Sequence, residues 1–211
     1  MDKIVANRHL PEEQKMSEHL SEEVYVNEYF SWVPQLPQIP DELLILDFDE
    51  LINTPWGMTP KSFSGLTPTY TSHAFGFGFD VPPEITELLQ PYFPWKIRVR
   101  YQIMTKHVHS HMDYSRKCTF NYLLQTGGDD VYTSWKKDDA VTEIYKVCAP
   151  LRTWHRLQTD IYHAVSPHPQ PRIAISVWPA SHNNVWNFDV TDIHFKDDLD
   201  NPDFKHPDWG Y

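Results

Sequence analysis

The sequence is organised around Ile97-Arg98-Val99-Arg100-Tyr101-Gln102-Ile103-Met104, followed closely by His107-Val108-His109-Ser110-His111-Met112-Asp113. In the first stretch apolar residues alternate with polar ones, the period-2 pattern of a half-buried β-strand. In the second, residues two apart point to the same side of an extended chain, so His111 and Asp113 can present an imidazole and a carboxylate together. One metal ion can accept both groups. The two stretches predict a strand followed by a candidate metal site near its end.

The H-x-D triplet is a weak signal by itself, because most such triplets are ordinary loop or surface residues. His107 and His109 compete with His111 for a metal, but neither has a carboxylate two residues further on. We therefore expect these two histidines to face solvent or to support the ligands indirectly. The metal hypothesis depends on a third ligand from elsewhere in the chain.

Short strand patterns separated by turn residues recur through the second half of the sequence. Seven or so strands at this spacing predict an antiparallel sandwich or barrel. A short helix is predicted from Val81-Pro82-Pro83-Glu84 through Leu89, because proline is favoured in a first turn. Thr126-Gly127-Gly128-Asp129 is interpreted as a hairpin turn. The further predicted strands are Lys117–Gln125, Val131–Trp135, Val141–Cys148, Trp154–Leu157, Ile161–Val165 and Arg172–Trp178.

Length and charge limit the class of protein. The 211 residues predict a single domain, with a helical or extended N-terminal region (1–94), a core (about 95–180) and an acidic tail (181–211). A formal net charge of -11 disfavours non-specific nucleic-acid binding and anionic membrane surfaces. No run of about 18 apolar residues occurs, so we expect a cytoplasmic protein. Cys118 and Cys148 are too few for a disulfide framework, and we expect both to be buried thiols in strands.

A second segment supplies further candidate site residues. His163 lies at the end of a predicted strand, and the next strand, Arg172–Trp178, has two unlike faces. One face carries branched aliphatic residues, and the other carries Arg172, Ala174, Ser176 and Trp178. This pattern is typical of a strand that lines a pocket. A buried arginine needs an anionic partner, and no acidic residue lies within this strand, so a bound dicarboxylate is a natural candidate.

His111, Asp113, His163 in an H-A-V context, and Arg172 nine residues later together resemble the Fe(II)/2-oxoglutarate-dependent dioxygenases. The likeness is greatest to the prolyl-4-hydroxylase-like branch, and it covers roughly residues 95–180. The matching positions beyond the core motif are Tyr101 ten residues before His111, Tyr122-Leu123-Leu124 followed by Gly127-Gly128, and Trp178 six residues after Arg172.

This resemblance implies a mainly β fold with flanking helices and a double-stranded β-helix core of the jelly-roll or cupin-like kind. It implies that Fe(II) is held by His111, Asp113 and His163, while Arg172 pairs with the far carboxylate of 2-oxoglutarate. The implied reaction hydroxylates a C–H bond of a peptidyl or small-molecule substrate with O2, and releases succinate and CO2. Ascorbate fits such a reaction as a reductant.

The resemblance also implies roles for residues around the metal. Tyr101 would donate a hydrogen bond to 2-oxoglutarate, and Trp178 would form the wall on the substrate side. Asn121 lies where a strand residue can approach the co-substrate, although a register shift of one residue would turn it outward. His155 is a competing third ligand, but His163 is favoured because it has the H-A-V context and the arginine at the expected offset.

Two readings from other classes remain open. The first is a cupin-like protein that binds a metal or a small ligand without oxidation, and the second is a structural jelly-roll domain with incidental histidines. Arg172 discriminates best, because neither class has a reason to bury an arginine nine residues past its last metal ligand. The oligomeric state and the substrate are not indicated by the sequence.

Overall fold

The structure is a computed structural model that describes residues 27–44, 47, 50, 68–69, 76–105, 107–113, 116–180 and 193. These residues form eleven β-strands, the α-helix α1 (Pro83–Leu89) and two short 3-10 helices, Asp41–Leu43 and Gln90–Tyr92. The strands in chain order are β1 (Phe30–Trp32), β2 (Pro68–Thr69), β3 (Gly76–Asp80), β4 (Ile97–Met104), β5 (Val108–His111), β6 (Cys118–Gln125), β7 (Thr133–Lys136), β8 (Glu143–Val147), β9 (Trp154–Gln158), β10 (His163–Val165) and β11 (Arg172–Pro179).

The described strands form two antiparallel sheets with jelly-roll connectivity. A seven-stranded sheet has the order β1-β9-β6-β11-β4-β3-β2, and a four-stranded sheet has the order β5-β10-β7-β8. In the larger sheet β4 pairs with β11 and β6 with β9, and in the smaller sheet β5 pairs with β10 and β7 with β8. This nesting of strand pairs is a double-stranded β-helix, the jelly-roll fold. The predicted fold class is therefore confirmed.

Alternation along the strands separates two cores. The outer face of the seven-stranded sheet packs against α1 and the segment that follows β1, and Ile173, Ile175 and Val177 lie in this outer core. Between the two sheets, Leu123 and Ala174 pack against Trp135 of β7. The opposite face of β11, which carries Arg172, Ala174, Ser176 and Trp178, therefore faces the space between the sheets, as its sequence pattern predicted.

Several local predictions can be compared with the described elements. The strand Ile97–Met104 and the end of α1 at Leu89 lie where the sequence predicted them. The predicted hairpin at Gly127-Gly128 is wrong, because β6 and β7 belong to different sheets; the turn instead crosses between the sheets, with Gly127 at a φ of 89°. Cys118 is a buried strand residue as expected, but Cys148 follows β8 and is exposed. The N-terminal and C-terminal predictions fall mostly outside the described residues.

Across the part of the chain that the structure describes, no helix has the length and apolar character needed to cross a membrane.

Candidate metal site

Two strands of the smaller sheet place two histidines side by side. His111 ends β5 and His163 begins β10, and the two residues are direct partners across these antiparallel strands. Their ring centroids are 4.3 Å apart. Asp113 follows β5 by two residues, and its backbone N–H donates a hydrogen bond of 2.8 Å to the carbonyl of Thr159. One ligand atom from each of His111, Asp113 and His163 lies within 4.8 Å of the other two, which is close enough for one metal ion.

Both imidazoles present the same nitrogen to this space. The Nδ1 atom of His111 lies 2.8 Å from the carbonyl oxygen of His109, and the Nδ1 atom of His163 lies 2.9 Å from that of Ile161. Because a carbonyl oxygen only accepts, Nδ1 carries the proton in each neutral ring, and Nε2 offers its lone pair. Burial, with the His111 imidazole as the second cause, lowers the pKa of His163 to about 4. At neutral pH this ring is therefore in the neutral form that binds metals.

The carboxylate of Asp113 is oriented by a residue that sequence reasoning missed. Nε of Arg116 donates to Oδ2 of Asp113 at 2.7 Å, and the Nη2 atom of Arg116 lies 2.7 Å from the same oxygen. The other oxygen, Oδ1, lies 3.8 Å from Nε2 of His111. Arg116 thus leaves one oxygen near His111, which suits a carboxylate that binds a metal through a single atom. The available signal was a basic residue three positions after the H-x-D aspartate.

We expect Arg116→Gln to weaken metal binding by roughly 10–100-fold, the usual cost of losing a partner that orients a metal ligand. The three candidate ligands remain, so saturating metal should still produce the same coordination. Co(II) binding can be titrated by its visible absorption. The titration curve gives the affinity, and the spectrum at saturation reports the coordination. Arg98→Gln, which removes an exposed arginine from β4, is the matched control and should bind Co(II) like the parent protein. Unchanged affinity in Arg116→Gln would show that this ion pair does not position Asp113.

Arg172 lies deep in the space between the sheets. Its side chain is 4% exposed, and its described hydrogen bonds are two long ones, of 3.4 Å each, to the Thr126 carbonyl and to Oγ1 of Thr133. None of the ion pairs found among the described residues involves it. Burial lowers the pKa of Arg172 to about 10, so the guanidinium stays charged at neutral pH. A buried cation with so few partners can hold an anionic ligand.

Asn121 and Trp178 face the same space as Arg172. Asn121 pairs with Ser176 across β6 and β11, and their side chains are joined by a hydrogen bond of 2.6 Å. The register that the sequence left open therefore points Asn121 inward. Trp178 lies at the far end of β11, where the guanidinium of Arg116 lies 4.8 Å and that of Arg100 5.5 Å from its ring centroid. Arg116 therefore contacts both the Trp178 ring and the Asp113 carboxylate.

Tyr101 does not lie where the resemblance implied. It pairs with Ile175 across β4 and β11, and it is fully buried in the outer core beside α1. Its hydroxyl donates a hydrogen bond of 3.4 Å to the carbonyl of Leu43. Because successive strand residues point to opposite faces, Tyr101 is turned away from the space that Arg172 faces. Tyr101 is therefore not part of the candidate site. Its separation of ten residues from His111 matched the family, but this separation does not determine which face of the sheet Tyr101 occupies.

The competing histidines are separated from the three candidate ligands. His107 and His109 are exposed, and their Nε2 atoms lie 3.1 Å from each other. His155 is completely buried on β9, where it pairs with Asn121 of β6. Within the described residues, the single cluster with metal-ligand spacing consists of His111, Asp113 and His163.

The sequence matches no protein-family model and no curated protein. Solved structures with a related arrangement include vicilin from Corylus avellana (hazelnut), at 12% identity and a TM-score of 0.37, with 56% of this chain and 32% of that chain covered. Oxalate decarboxylase of Lactobacillus farciminis, in a formate complex, shows 11% identity and a TM-score of 0.32, with 55% and 31% covered.

Hydroxypropylphosphonic acid epoxidase from S. wedmorenis shows 8% identity and a TM-score of 0.36, with 68% of this chain and 63% of that chain covered. The chain thus spans about a third of the vicilin and oxalate decarboxylase chains and less than two thirds of the epoxidase. At such low similarity, the fold assignment rests on the strand order of this protein, and the site must be judged by its own residues.

Proposed function

We propose that this protein is a non-haem Fe(II)- and 2-oxoglutarate-dependent oxygenase that hydroxylates a C–H bond of a peptidyl or small-molecule substrate. The observation that carries the proposal is that two features face the same space between the two sheets. These are a cluster of two imidazoles and one carboxylate on the smaller sheet, and the buried guanidinium of Arg172 on the facing sheet. A metal-binding jelly roll without oxidative chemistry would need the cluster but not the arginine.

The residues fit Fe(II) on the chemistry of their donor atoms. His111 and His163 offer Nε2 lone pairs because each Nδ1 is bonded to a carbonyl, and Asp113 offers the oxygen that Arg116 leaves free. Two histidines and one carboxylate on one side of the ion are typical of non-haem Fe(II) oxygenases, which keep the other positions open. When bound, Fe(II) would supply O2 activation coupled to the oxidative decarboxylation of 2-oxoglutarate to succinate and CO2.

The other residues that face the space between the sheets would bind and orient the ligands and exclude water. Arg172 would hold the distal carboxylate of 2-oxoglutarate through paired N–H donors. Asn121 and Ser176 supply polar atoms on the face that also carries Arg172 and Trp178, whereas Leu123 and Ala174 are apolar residues facing the same space. Trp178 would lie on the substrate side, where its ring contacts the guanidinium groups of Arg100 and Arg116.

The oxygenase proposal is tested by adding Fe(II) and 2-oxoglutarate to the anaerobic protein. We expect the weak visible charge-transfer band of a 2-oxoglutarate chelate, followed by succinate release when O2 is admitted, with ascorbate present as the reductant. Succinate in place of 2-oxoglutarate is the control, because it lacks the 2-oxo group and should produce no band. A folded protein that binds Fe(II) but shows no band at saturating 2-oxoglutarate would exclude this function.

A further inference from the structure

His155 is a buried polar group that the proposed chemistry does not yet use. It is 0% exposed and lies on β9 between Trp32 of β1 and Asn121 of β6. Its ring stacks on Phe30, with ring centroids 5.3 Å apart and an interplanar angle of 24°. Phe30 belongs to the core between the two sheets, so the His155 ring faces the same space as Arg172.

The hydrogen bonds of His155 determine its tautomer. Its Nδ1 atom lies 3.0 Å from the carbonyl oxygen of Thr153, the same i−2 arrangement found at His111 and His163. Nδ1 must therefore carry the proton of the neutral ring, which leaves Nε2 as a bare acceptor. This Nε2 atom is buried and has no hydrogen-bond partner. A buried polar atom without a partner is costly, and it points to a ligand group that binds in the space between the sheets.

The charges around His155 explain why it is neutral without a ligand. Burial is the main cause that lowers the pKa of His155 to about 3, and the positive charge of Arg172 lowers it further. The Thr153 hydrogen bond acts in the opposite direction. The neighbouring strands present Phe30 and Trp32 from β1 and Asn121 from β6, none of them charged. No described carboxylate offsets the field of Arg172 at this ring.

We propose that His155 is a second binding residue for the distal carboxylate of the co-substrate, and that it takes up one proton from solvent when that carboxylate binds beside Arg172. This inference rests on the proposed function. A carboxylate oxygen only accepts hydrogen bonds, so the bare Nε2 atom can pair with it only after protonation. The proton becomes bound to Nε2, and no other bond forms or breaks. The incoming negative charge offsets both the guanidinium field and the desolvation that keep the empty site unprotonated.

Proton uptake gives 2-oxoglutarate binding a specific pH dependence. Between the low pKa of the empty site and the higher pKa of the liganded site, each bound ligand brings one proton. The affinity therefore rises as the pH falls through this window, by up to about tenfold per pH unit. Above the pKa of the liganded site, the imidazole stays neutral and the affinity is weak and independent of pH.

The test is calorimetry of 2-oxoglutarate binding to the anaerobic Fe(II)-loaded protein, in buffers of different ionisation enthalpy at one pH near neutrality. We expect close to one proton taken up per ligand. His155→Gln is the matched variant, because its amide can donate to a carboxylate without titrating; it should bind within a few-fold of the parent with no proton uptake. His155→Phe removes the donor and should bind about tenfold more weakly or worse.

The possible outcomes separate this inference from the proposed function. If 2-oxoglutarate binds in an Arg172-dependent manner but without proton uptake, the role of His155 is wrong and the oxygenase proposal stands. If uptake persists in both His155 variants, the proton goes to another group and the role is equally wrong. If 2-oxoglutarate does not bind, the proposed function fails, and this inference fails with it. Absence of proton uptake by the parent protein would overturn the role of His155 even where one variant folds poorly, and the other variant then identifies the group that takes up the proton.

Discussion

Asp113→Ala is expected to abolish Fe(II) retention while leaving the fold nearly as stable as before. The substitution removes the only charged donor of the cluster, and His111 and His163 alone are two neutral ligands. The loss should exceed the roughly 10–100-fold that follows the loss of a partner outside the ligand set. Iron content after anaerobic gel filtration, together with Co(II) titration, measures this effect.

The expected stability of Asp113→Ala follows from its surroundings. The ion pair with Arg116 is partly exposed, and such pairs contribute about 0–1 kcal/mol. The backbone hydrogen bond from residue 113 to Thr159 is kept by alanine. The free energies of unfolding in urea of the metal-free parent protein and of metal-free Asp113→Ala should therefore differ by about 1 kcal/mol or less.

His109→Ala is the matched control for the metal experiment. It removes an exposed imidazole from the same strand but keeps the backbone carbonyl that bonds Nδ1 of His111. Fe(II) retention should be unchanged in this variant. If Asp113→Ala retained iron, or if His109→Ala lost it, the proposed assignment of the metal ligands would be wrong. A large loss of stability in Asp113→Ala would instead identify the carboxylate as structural.

Arg172→Ala is expected to weaken 2-oxoglutarate binding by about 30-fold to several thousand-fold, because truncating one partner of a buried, hydrogen-bonded charge pair typically costs 2–5 kcal/mol. Fe(II) affinity should change little, because Arg172 is not among the candidate ligands. Titration of the charge-transfer band gives the 2-oxoglutarate affinity, and metal competition gives the iron affinity. Equal loss of both would mean that Arg172 supports the cluster structurally.

A second variant separates binding from folding at this position. Arg172→Met keeps most of the side-chain volume but removes a buried charge for which the described residues provide only two long hydrogen bonds. Replacing such a charge by an apolar residue is often neutral or stabilising, so the ligand-free variant should unfold at a urea concentration no lower than the parent. The parent should gain stability from added 2-oxoglutarate, whereas Arg172→Met should not. Arg98→Met, at an exposed position, is the control and should keep the ligand-dependent gain.

Local sequence patterns predicted most of the strands and which side chains lie together on each face of a strand. Alternation along 172–178 separated the aliphatic residues of the outer core from Arg172, Ala174 and Ser176, because the period of a strand is independent of its neighbours. The same rule brought His111 and Asp113 to one side of the chain. The expected burial of Arg172 followed from the same alternation, because Arg172 shares with Ala174 and Ser176 the face that was predicted to line a pocket.

Local patterns did not predict what depends on pairing between distant strands, and the meeting of His111 with His163 was expected only from the family resemblance. The register of β4 against β11 turns Tyr101 into the outer core, although its separation from His111 fitted the resemblance. The assignment of β6 and β7 to different sheets makes the Gly127 turn a crossover, although a Gly-Gly pair is typical of hairpins. Cys148 was expected in a strand, but β8 ends at Val147 and leaves the thiol exposed.

The sequence by itself therefore determined which side chains share a face of each strand, and hence the polar lining that includes Arg172. Only the tertiary structure decided that β5 and β10 are neighbours, so that His111 and His163 meet beside Asp113. It also decided that Arg116 binds one oxygen of the Asp113 carboxylate and that His155 has an unpaired nitrogen buried between the sheets. The reason is physical: alternation is a property of each strand's own backbone, whereas pairing and register are set by packing across the two sheets.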